Sequence, residues 1–156
     1  MIQVKIPGFA EVTIKNVIFD YNGTLAVDGY LIEGVAPLLT ELAQKVKIHI
    51  VTGDSFGTAQ NETKDLPCEL LITPSENQGT TKKNYLHQLN PKETVSIGNG
   101  RNDHYILKES VVGIIILGKE GASIAALNAA DVVVTHIFDA IDLLQHPNRL
   151  RSTLRA

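Results

Sequence analysis

Polar groups that can do chemistry recur in this chain, most of them after short apolar runs and one, Lys82, at the start of a predicted helix. In chain order they are Asp20, Asn22, Thr52, Gly53, Lys82, Asn99 and Asp103. Carboxylate and amide oxygens are ligands for a hard cation such as Mg²⁺, and a lysine neutralises phosphate charge. A carboxylate can also act as a nucleophile. These residue types indicate phosphoryl transfer, in which positioning and charge neutralisation do most of the work.

Asp20 has the setting of a nucleophile held on a rigid strand end. It directly follows the apolar run 17–19 and precedes an Asn22-Gly23 turn signal. In open α/β sheets, ligands bind at the carboxyl ends of the parallel strands. Taken alone, Asp20 also fits a turn-capping role, because Asp and Asn side chains often stabilise turns. The functional groups at later strand ends favour the nucleophile.

The alternation of short apolar runs with amphipathic segments predicts an α/β fold with a mostly parallel sheet covered by helices on both faces. The predicted strands are 17–19, 48–51, 69–73, 94–97, 112–117 and 131–134. The predicted helices are 37–43, 82–89, about 123–130 and 138–144. The opening segment 2–14 alternates polar and apolar residues around Pro7-Gly8, which predicts an added hairpin or an edge strand. A single domain over residues 1–156 is expected.

Oxygen ligands for Mg²⁺ would converge at the sheet edge. Asp20 and Asp103 can each give one carboxylate oxygen, and Asn22 can add its backbone carbonyl. Mg²⁺ prefers about six oxygens in octahedral order and keeps several waters. We therefore expect a Mg²⁺ cofactor to bridge the nucleophile and an anionic phosphate.

The phosphoryl group itself needs donors and a fixed cation. Lys82 can supply the positive charge, and the Thr52 hydroxyl and the Gly53 N–H can donate to the phosphoryl oxygens. Attack by Asp20 would give an aspartyl-phosphate, which water would then cleave. The substrate predicted from these residues is a phosphorylated compound.

Three short motifs resemble those of the haloacid dehalogenase superfamily of phosphotransferases. They are Asp20-Tyr21-Asn22-Gly23-Thr24, Thr52-Gly53-Asp54 and Gly98-Asn99-Gly100-Arg101-Asn102-Asp103. The likeness runs over about residues 16–144 and is closest to the phosphorylation domain of P-type ATPases and its small soluble relatives. It implies a three-layer Rossmann-like fold without a cap domain and a Mg²⁺-dependent phosphatase. The implied catalytic residues are Asp20, Thr52 and Lys82; the phosphate ligands Thr52, Gly53, Lys82 and Asn102; and the metal ligands Asp20, Asn22, Asn99 and Asp103.

The resemblance leaves two adjacent lysines as candidates for the phosphate-binding cation. The superfamily lysine precedes inward-facing residues of its helix by four and seven positions. Lys82 has that spacing to Leu86 and Leu89, and it is therefore preferred over Lys83.

Two asparagines depart from the pattern of hydrolytic superfamily members. Asn22 stands where those members have a general acid–base Asp, and an amide cannot shuttle a proton. Such acid–base help is worth about 10²–10⁴-fold in rate, so slow turnover is expected. Asn99 replaces a metal-binding Asp, which removes one charge and should weaken Mg²⁺ binding.

The segment between Thr24 and the predicted helix at Pro37 has room only for a small flap containing Asp28-Gly29. An open site suits a large substrate, or a site that a second copy of the chain or another protein covers.

Asn22 and Asn99 also allow a second interpretation: a weakly active or inactive module that binds Mg²⁺, phosphate or a protein partner. A receiver domain is disfavoured, because residues 2–18 hold only Glu11 where such domains carry an acidic pair.

The charge and composition argue against several other classes of function and indicate a cellular compartment. A net charge of −3 argues against a nucleic-acid partner held through phosphate contacts. The basic tail 149–155 is interpreted as a solvated final turn. The longest apolar run, 111–117, is far too short to span a membrane. The single cysteine, Cys68, suits a reducing compartment, and a cytoplasmic location is expected.

Overall fold

A six-stranded, wholly parallel sheet forms the centre of the computed structural model, which describes residues 1–156. The strands of the chain are β1 Ile2–Ile6, β2 Ala10–Ile14, β3 Asn16–Phe19, β4 Ala26–Val27, β5 Tyr30–Leu31, β6 Lys47–Thr52, β7 Cys68–Ile72, β8 Thr94–Gly98, β9 Val112–Ile116 and β10 Val132–Val134. The helices are α1 Val35–Leu42, α2 Ala59–Thr63, α3 Gln78–Leu89, α4 His104–Glu109, α5 Ile124–Ala129, α6 Ile137–Gln145 and α7 Pro147–Leu154.

The strand order β10-β9-β8-β3-β6-β7 places β3 in the middle of the sheet. The chain first winds outward from β3 through β6 to β7, and then continues on the other side through β8, β9 and β10. Phe19, the last residue of β3, is paired with Ile50 of β6 and with Ile97 of β8. Strands β6 and β8 end at Thr52 and Gly98, close to the end of β3, where the winding direction changes. Crevices that bind ligands form at such a point.

Helices cover both faces of the sheet, as the alternation of elements predicts. Val17 and Phe19 belong to the main core cluster, which includes buried residues of α1 and α6. Ile18 lies on the opposite face and packs with Leu86 of α3 and Ile106 of α4. Each β3 side chain is buried, because the strand is covered on both sides. This three-layer arrangement confirms the predicted fold class.

The opening segment forms a separate antiparallel hairpin of β1 and β2 rather than an edge strand of the main sheet. The basic tail packs near it; the arginines of the tail are exposed, as predicted, but the segment is a helix rather than a single final turn. Residues 147–154 form the two-turn helix α7, whose Leu150 is fully buried in the main core. Leu150 and the partly buried Leu154 dock this helix against the core, while its arginines remain exposed.

Several element boundaries differ from the sequence-based prediction. Helix α1 begins two residues before Pro37, and α3 begins at Gln78, so Lys82 lies in its second turn rather than at its start. Helices α2 and α4 were not predicted. The predicted small flap is the β4–β5 hairpin, with Asp28-Gly29 at its turn.

Gly113 in β9 has no room for a side chain, because a Cβ there would lie 2.1 Å from the Leu107 carbonyl oxygen. We expect Gly113→Ala to lower the free energy of unfolding by about 1–3 kcal/mol, since the backbone would have to shift. Urea denaturation measures the change. Gly118→Ala is the matched control: its Cβ would meet Ile116 Cγ2 at an ordinary 3.4 Å, and a change below about 0.5 kcal/mol is expected. Equal losses in both variants would contradict this account.

Candidate active site

Lys82 joins two carboxylates at the carboxyl edge of the sheet. Its Nζ donates to Asp20 Oδ1 at 2.8 Å and to Asp103 Oδ1 at 2.7 Å. Lys82 and Asp103 are fully buried, and Asp20 is 7% exposed. The end of β3 positions Asp20, α3 positions Lys82, and a 3-10 turn after β8 positions Asp103. The fold thus brings three predicted site residues into direct contact.

The turn after β8 orients Asp103 through its backbone. The second carboxylate oxygen, Oδ2, accepts hydrogen bonds from Asn99 N at 3.1 Å and from Gly100 N at 2.9 Å. With Lys82 on Oδ1, both oxygens of Asp103 have fixed partners. A buried carboxylate held in this way keeps one orientation, and its charge lies within the electrostatic reach of Asp20.

Burial and the neighbouring charge of Asp103 raise the pKa of Asp20 to about 6, although Lys82 opposes the shift. For Lys82, burial lowers the pKa, but the charges of Asp103 and Asp20 outweigh burial and raise the pKa above its ordinary value. Lys82 therefore remains a cation at neutral pH. Because Asp20 shares this one cation with Asp103, a further cation at the site would favour the ionised form of Asp20.

The oxygens available at the site fit a hard divalent cation. Asn22 Oδ1 is buried and has no hydrogen-bond partner. Asn99 uses its amide nitrogen to donate to the Gly121 carbonyl at 3.0 Å, which leaves its amide oxygen available. Asp20 has one oxygen occupied by Lys82. No three His, Cys, Asp or Glu side chains form a metal-binding group, but Mg²⁺ needs only one or two carboxylates beside water and phosphate.

Gly23 lets the first motif approach the third, residues 98–103. A Cβ at this position would lie 2.3 Å from Asn99 Nδ2, and the φ angle of +81° also favours glycine. The Asn22-Gly23 turn and the Asn99 amide are therefore in close contact. This contact brings the two asparagines that depart from the hydrolase pattern to the same side of the site.

The second motif continues β6. The Thr52 hydroxyl accepts a hydrogen bond from Asp54 N at 3.0 Å, and Thr52 is 2% exposed. Asp54, with a φ of 52°, accepts from the backbone N–H groups of Thr58 and Ala59 at 3.0 Å. Asp54 thereby holds the loop that follows Thr52-Gly53. The hydroxyl hydrogen of Thr52 remains free to donate to a ligand.

Gln78 belongs to the site and was missed by sequence reasoning. Its Oε1 accepts a hydrogen bond from Asn102 Nδ2 at 2.7 Å. Its Nε2 lies 2.5 Å from the place that a Cβ on Gly53 would take. Gln78 therefore links the second and third motifs. The signal was its position four residues before Lys82, since residues four apart share one face of a helix.

The structure separates the two candidate lysines. Lys83 Nζ pairs with Glu109 Oε1 at 2.8 Å, and its side chain is 37% exposed. It also lies 5.2 Å from the centre of the Tyr105 ring. Lys83 thus points away from Asp20, whereas Lys82 contacts it. The geometry agrees with the helical-spacing argument for Lys82.

Three hydrogen bonds fasten the flap to the rest of the molecule. The Gly29 carbonyl accepts from the Tyr21 hydroxyl at 2.9 Å and also from the Thr58 hydroxyl. The Leu31 N–H donates to Glu62 Oε2 at 3.1 Å. Burial and the charge of Glu62 raise the pKa of Tyr21 to about 12, so its hydroxyl stays protonated and keeps donating. The flap is a fixed wall beside the first motif.

Solved structures share this fold over most of their length. The structure of 3-deoxy-D-manno-octulosonate 8-phosphate phosphatase from Moraxella catarrhalis, in complex with magnesium and phosphate ions and KDO, matches with a TM-score of 0.70 and 17% identity, covering 91% of this chain and 94% of that chain. The cobalt-bound enzyme of Haemophilus influenzae matches with a TM-score of 0.72 and 17% identity, covering 92% and 94%. A putative hydrolase of the haloacid dehalogenase superfamily from Legionella pneumophila matches with a TM-score of 0.67 and 16% identity, covering 90% of this chain and 87% of that chain. The chain therefore has the haloacid dehalogenase fold, and the predicted resemblance is confirmed.

Sequence comparison gives a nearer relative. An uncharacterized protein of Methanocaldococcus jannaschii is 45% identical over 71 residues, which are 45% of this chain and 76% of that protein. The chain belongs to the same family as this archaeal protein. A probable copper-exporting P-type ATPase of Archaeoglobus fulgidus is 26% identical over 138 residues, 86% of this chain but only 16% of the ATPase. No protein-family model matches the chain.

No helix reaches the length and apolar composition that crossing a membrane demands.

Proposed function

We propose that the protein is a Mg²⁺-dependent phosphohydrolase or phosphotransferase with Asp20 as its nucleophile. The observation that carries this proposal is the buried Asp20–Lys82–Asp103 group at the carboxyl end of the central strand. Such a group combines a nucleophile with a fixed cation and a second carboxylate. The fold shared with sugar-acid phosphate phosphatases supports the same reaction class.

In the proposed reaction, the free carboxylate oxygen of Asp20 attacks phosphorus while the bond to the leaving group breaks. Lys82 offsets the charge of the phosphoryl oxygens, and the Thr52 hydroxyl, the Gly53 N–H and the Asn102 amide donate to them. Water then attacks phosphorus, which releases phosphate and restores the Asp20 carboxylate. Each donor has its position fixed before the substrate arrives.

Asp20, Asn22, Asn99 and Asp103 are the residues that would hold the cation. A bound Mg²⁺ would neutralise phosphate charge and so let two anions approach each other. Asn22 would contribute its backbone carbonyl, and the available Asn99 oxygen supports this ligand set. Asn99 contributes no charge, so we infer weaker metal binding than a third carboxylate would give.

A trapping experiment tests the proposal directly. The protein is incubated with radiolabelled acetyl phosphate and Mg²⁺, quenched in acid, and treated with hydroxylamine. Label that stays on the protein in acid and is released by hydroxylamine identifies an acyl phosphate, and loss of that label in Asp20→Asn assigns it to Asp20. Absence of label with wild-type protein, together with absence of Mg²⁺-dependent phosphate release, would contradict the proposal.

We expect Asn22→Asp to raise the turnover of simple alkyl phosphates by about 10–10²-fold, because the new carboxyl group can protonate a poor leaving group. The side-chain oxygen of Asn22 is buried without a partner, so an Asp of the same shape fits the space. Steady-state phosphate release from ethyl phosphate measures the gain. Asn22→Ala is the control and should give no gain. An equal increase in both variants would show that space, rather than proton transfer, limits the reaction.

The second candidate function is a module that binds Mg²⁺ and phosphate without useful turnover. Asn22 and Asn99 favour it, because acid–base help and one metal charge are both missing. Calorimetric titration with phosphate in the presence of Mg²⁺ distinguishes the binding module from the phosphatase. Binding that depends on Lys82, with no phosphoenzyme and no phosphate release, identifies the binding module.

A further inference from the structure

A pocket of about 140 Å³ lies beside the candidate active site, between the flap and the carboxyl ends of β9 and β10. Gly23 and Thr24 of the first motif form one wall, and Val27 of the flap forms another. The pocket thus shares its wall with the segment that follows Asp20. Its volume corresponds to roughly five water molecules, enough for a short organic group.

The interior of the pocket is mostly apolar but contains one unpartnered hydroxyl. The apolar side chains come from four elements or loops: Val27, Ile32, Ile116 and Ile137. Thr24 lines the same space; it is 1% exposed, and its Oγ1 has no hydrogen-bond partner. A buried polar group without a partner costs free energy, so a ligand that offers a hydrogen bond would be favoured.

The rim of the pocket carries positive and donor groups. Lys119 is exposed and forms no salt bridge in the structure. His136 Nδ1 accepts a hydrogen bond from Phe138 N at 3.2 Å, which places the ring proton on Nε2 as a donor. Thr135 adds a hydroxyl. This rim suits a carboxylate better than a neutral or cationic group.

The loop that carries Lys119 is tied to the active site. Gly121 N donates to the Gly118 carbonyl at 3.0 Å, which closes a tight turn around Lys119. The carbonyl of Gly121 accepts from Asn99 Nδ2 at 3.0 Å. Asn99 in turn lies against Gly23, a lining residue of the pocket. The pocket and the candidate active site therefore share the contacts that Asn99 makes with Gly121 and Gly23.

We infer that this pocket is the leaving-group subsite and that it selects phosphate monoesters of short, mainly aliphatic carboxylic acids. The inference rests on the proposed phosphatase function. The phosphoryl group would face Asp20, the aliphatic body would fill the pocket, and the carboxylate would meet Lys119 and His136. The P–O bond to the organic group breaks as the bond from Asp20 to phosphorus forms. The released alkoxide then takes a proton from water.

The test compares 2-phosphoglycolate with ethyl phosphate, which lacks the carboxylate. For each protein, the preference is the ratio of kcat/KM for the two esters in the presence of Mg²⁺. We expect Lys119→Met to lower this ratio about tenfold, which corresponds to the loss of about 1.4 kcal/mol of charge-assisted hydrogen bonding. Lys92→Met is the matched control, because Lys92 is exposed, unpaired and remote from the lining residues. An equal preference in wild type and Lys119→Met would overturn the inference.

A binding measurement separates failure of the subsite from failure of the catalytic proposal. If neither ester nor acetyl phosphate is turned over, the phosphatase proposal fails, and the pocket is judged by NMR titration with 2-phosphoglycolate and Mg²⁺. Shifts of the Thr24 and His136 amide resonances, with weaker binding to Lys119→Met, support the pocket on its own. Titration without shifts at these two residues would overturn it.

Discussion

Asp20→Asn is expected to abolish Mg²⁺-dependent hydrolysis of p-nitrophenyl phosphate and acetyl phosphate, with a loss of at least about 10³-fold. An amide oxygen is a far weaker nucleophile than a carboxylate, and the variant cannot form the aspartyl-phosphate. The fold should survive, because Asn keeps the shape of Asp and still accepts a hydrogen bond from Lys82. Phosphate release with and without Mg²⁺ measures the effect.

Asp28→Asn is the matched control for this substitution. Asp28 lies exposed at the flap turn, so its replacement removes the same charge without touching the buried group. It should retain wild-type rates within a factor of about two, as expected of a surface change. If Asp20→Asn and wild type hydrolyse both donors equally, Asp20 is not the nucleophile. The binding-module reading would then be preferred.

Lys82→Met is expected to be the most destabilising single change at the site. It leaves Asp20 and Asp103 as neighbouring buried carboxylates without their shared cation. Breaking a buried ion pair by removing one partner costs about 3–5 kcal/mol in the free energy of unfolding. Mg²⁺ should recover part of this loss, because a cation bound between the carboxylates stabilises only the folded state. Urea denaturation with and without Mg²⁺ measures both effects.

Lys83→Met provides the comparison, since it removes the same side chain from the adjacent position. Its partner Glu109 is partly exposed, and surface pairs of this kind contribute about 0–1 kcal/mol. Hydrolysis should persist in Lys83→Met and be lost in Lys82→Met. Equal stability of the two variants would contradict the buried arrangement described for Lys82.

The central sheet and the strand-end motifs could be predicted because their signals are local. The runs 17–19, 48–51 and 94–97 consist of β-branched and apolar residues apart from His49 and Ser96, a composition typical of parallel strands buried on both faces. Parallel strands present all their carboxyl ends at one edge, so residues that follow such runs come together. The contact of Asp20 with Lys82 and Asp103 follows from this geometry.

Other features depend on tertiary contacts that no local pattern indicates. Helix α7 docks through Leu150 and the partly buried Leu154, and the rest of its sequence is polar and resembles a solvated tail. The first turn of α3 contains Gln, Gly and two Thr residues, which are mostly weak helix formers. The start of the helix, and with it the position of Gln78, could therefore not be predicted from the sequence. The hydrogen bond from Asn99 to Gly121 joins loops far apart in the chain.

The fastened flap has a consequence for the fate of the proposed phosphoenzyme. The Gly29 carbonyl and the Leu31 N–H are both bonded to groups outside the flap, so a closing movement of the flap would first have to break these hydrogen bonds. Acceptors other than water then have continuous access to the phosphorylated carboxylate. Small alcohols would compete with water in proportion to their concentration, so the protein would divide its product between free phosphate and transferred phosphate according to its surroundings.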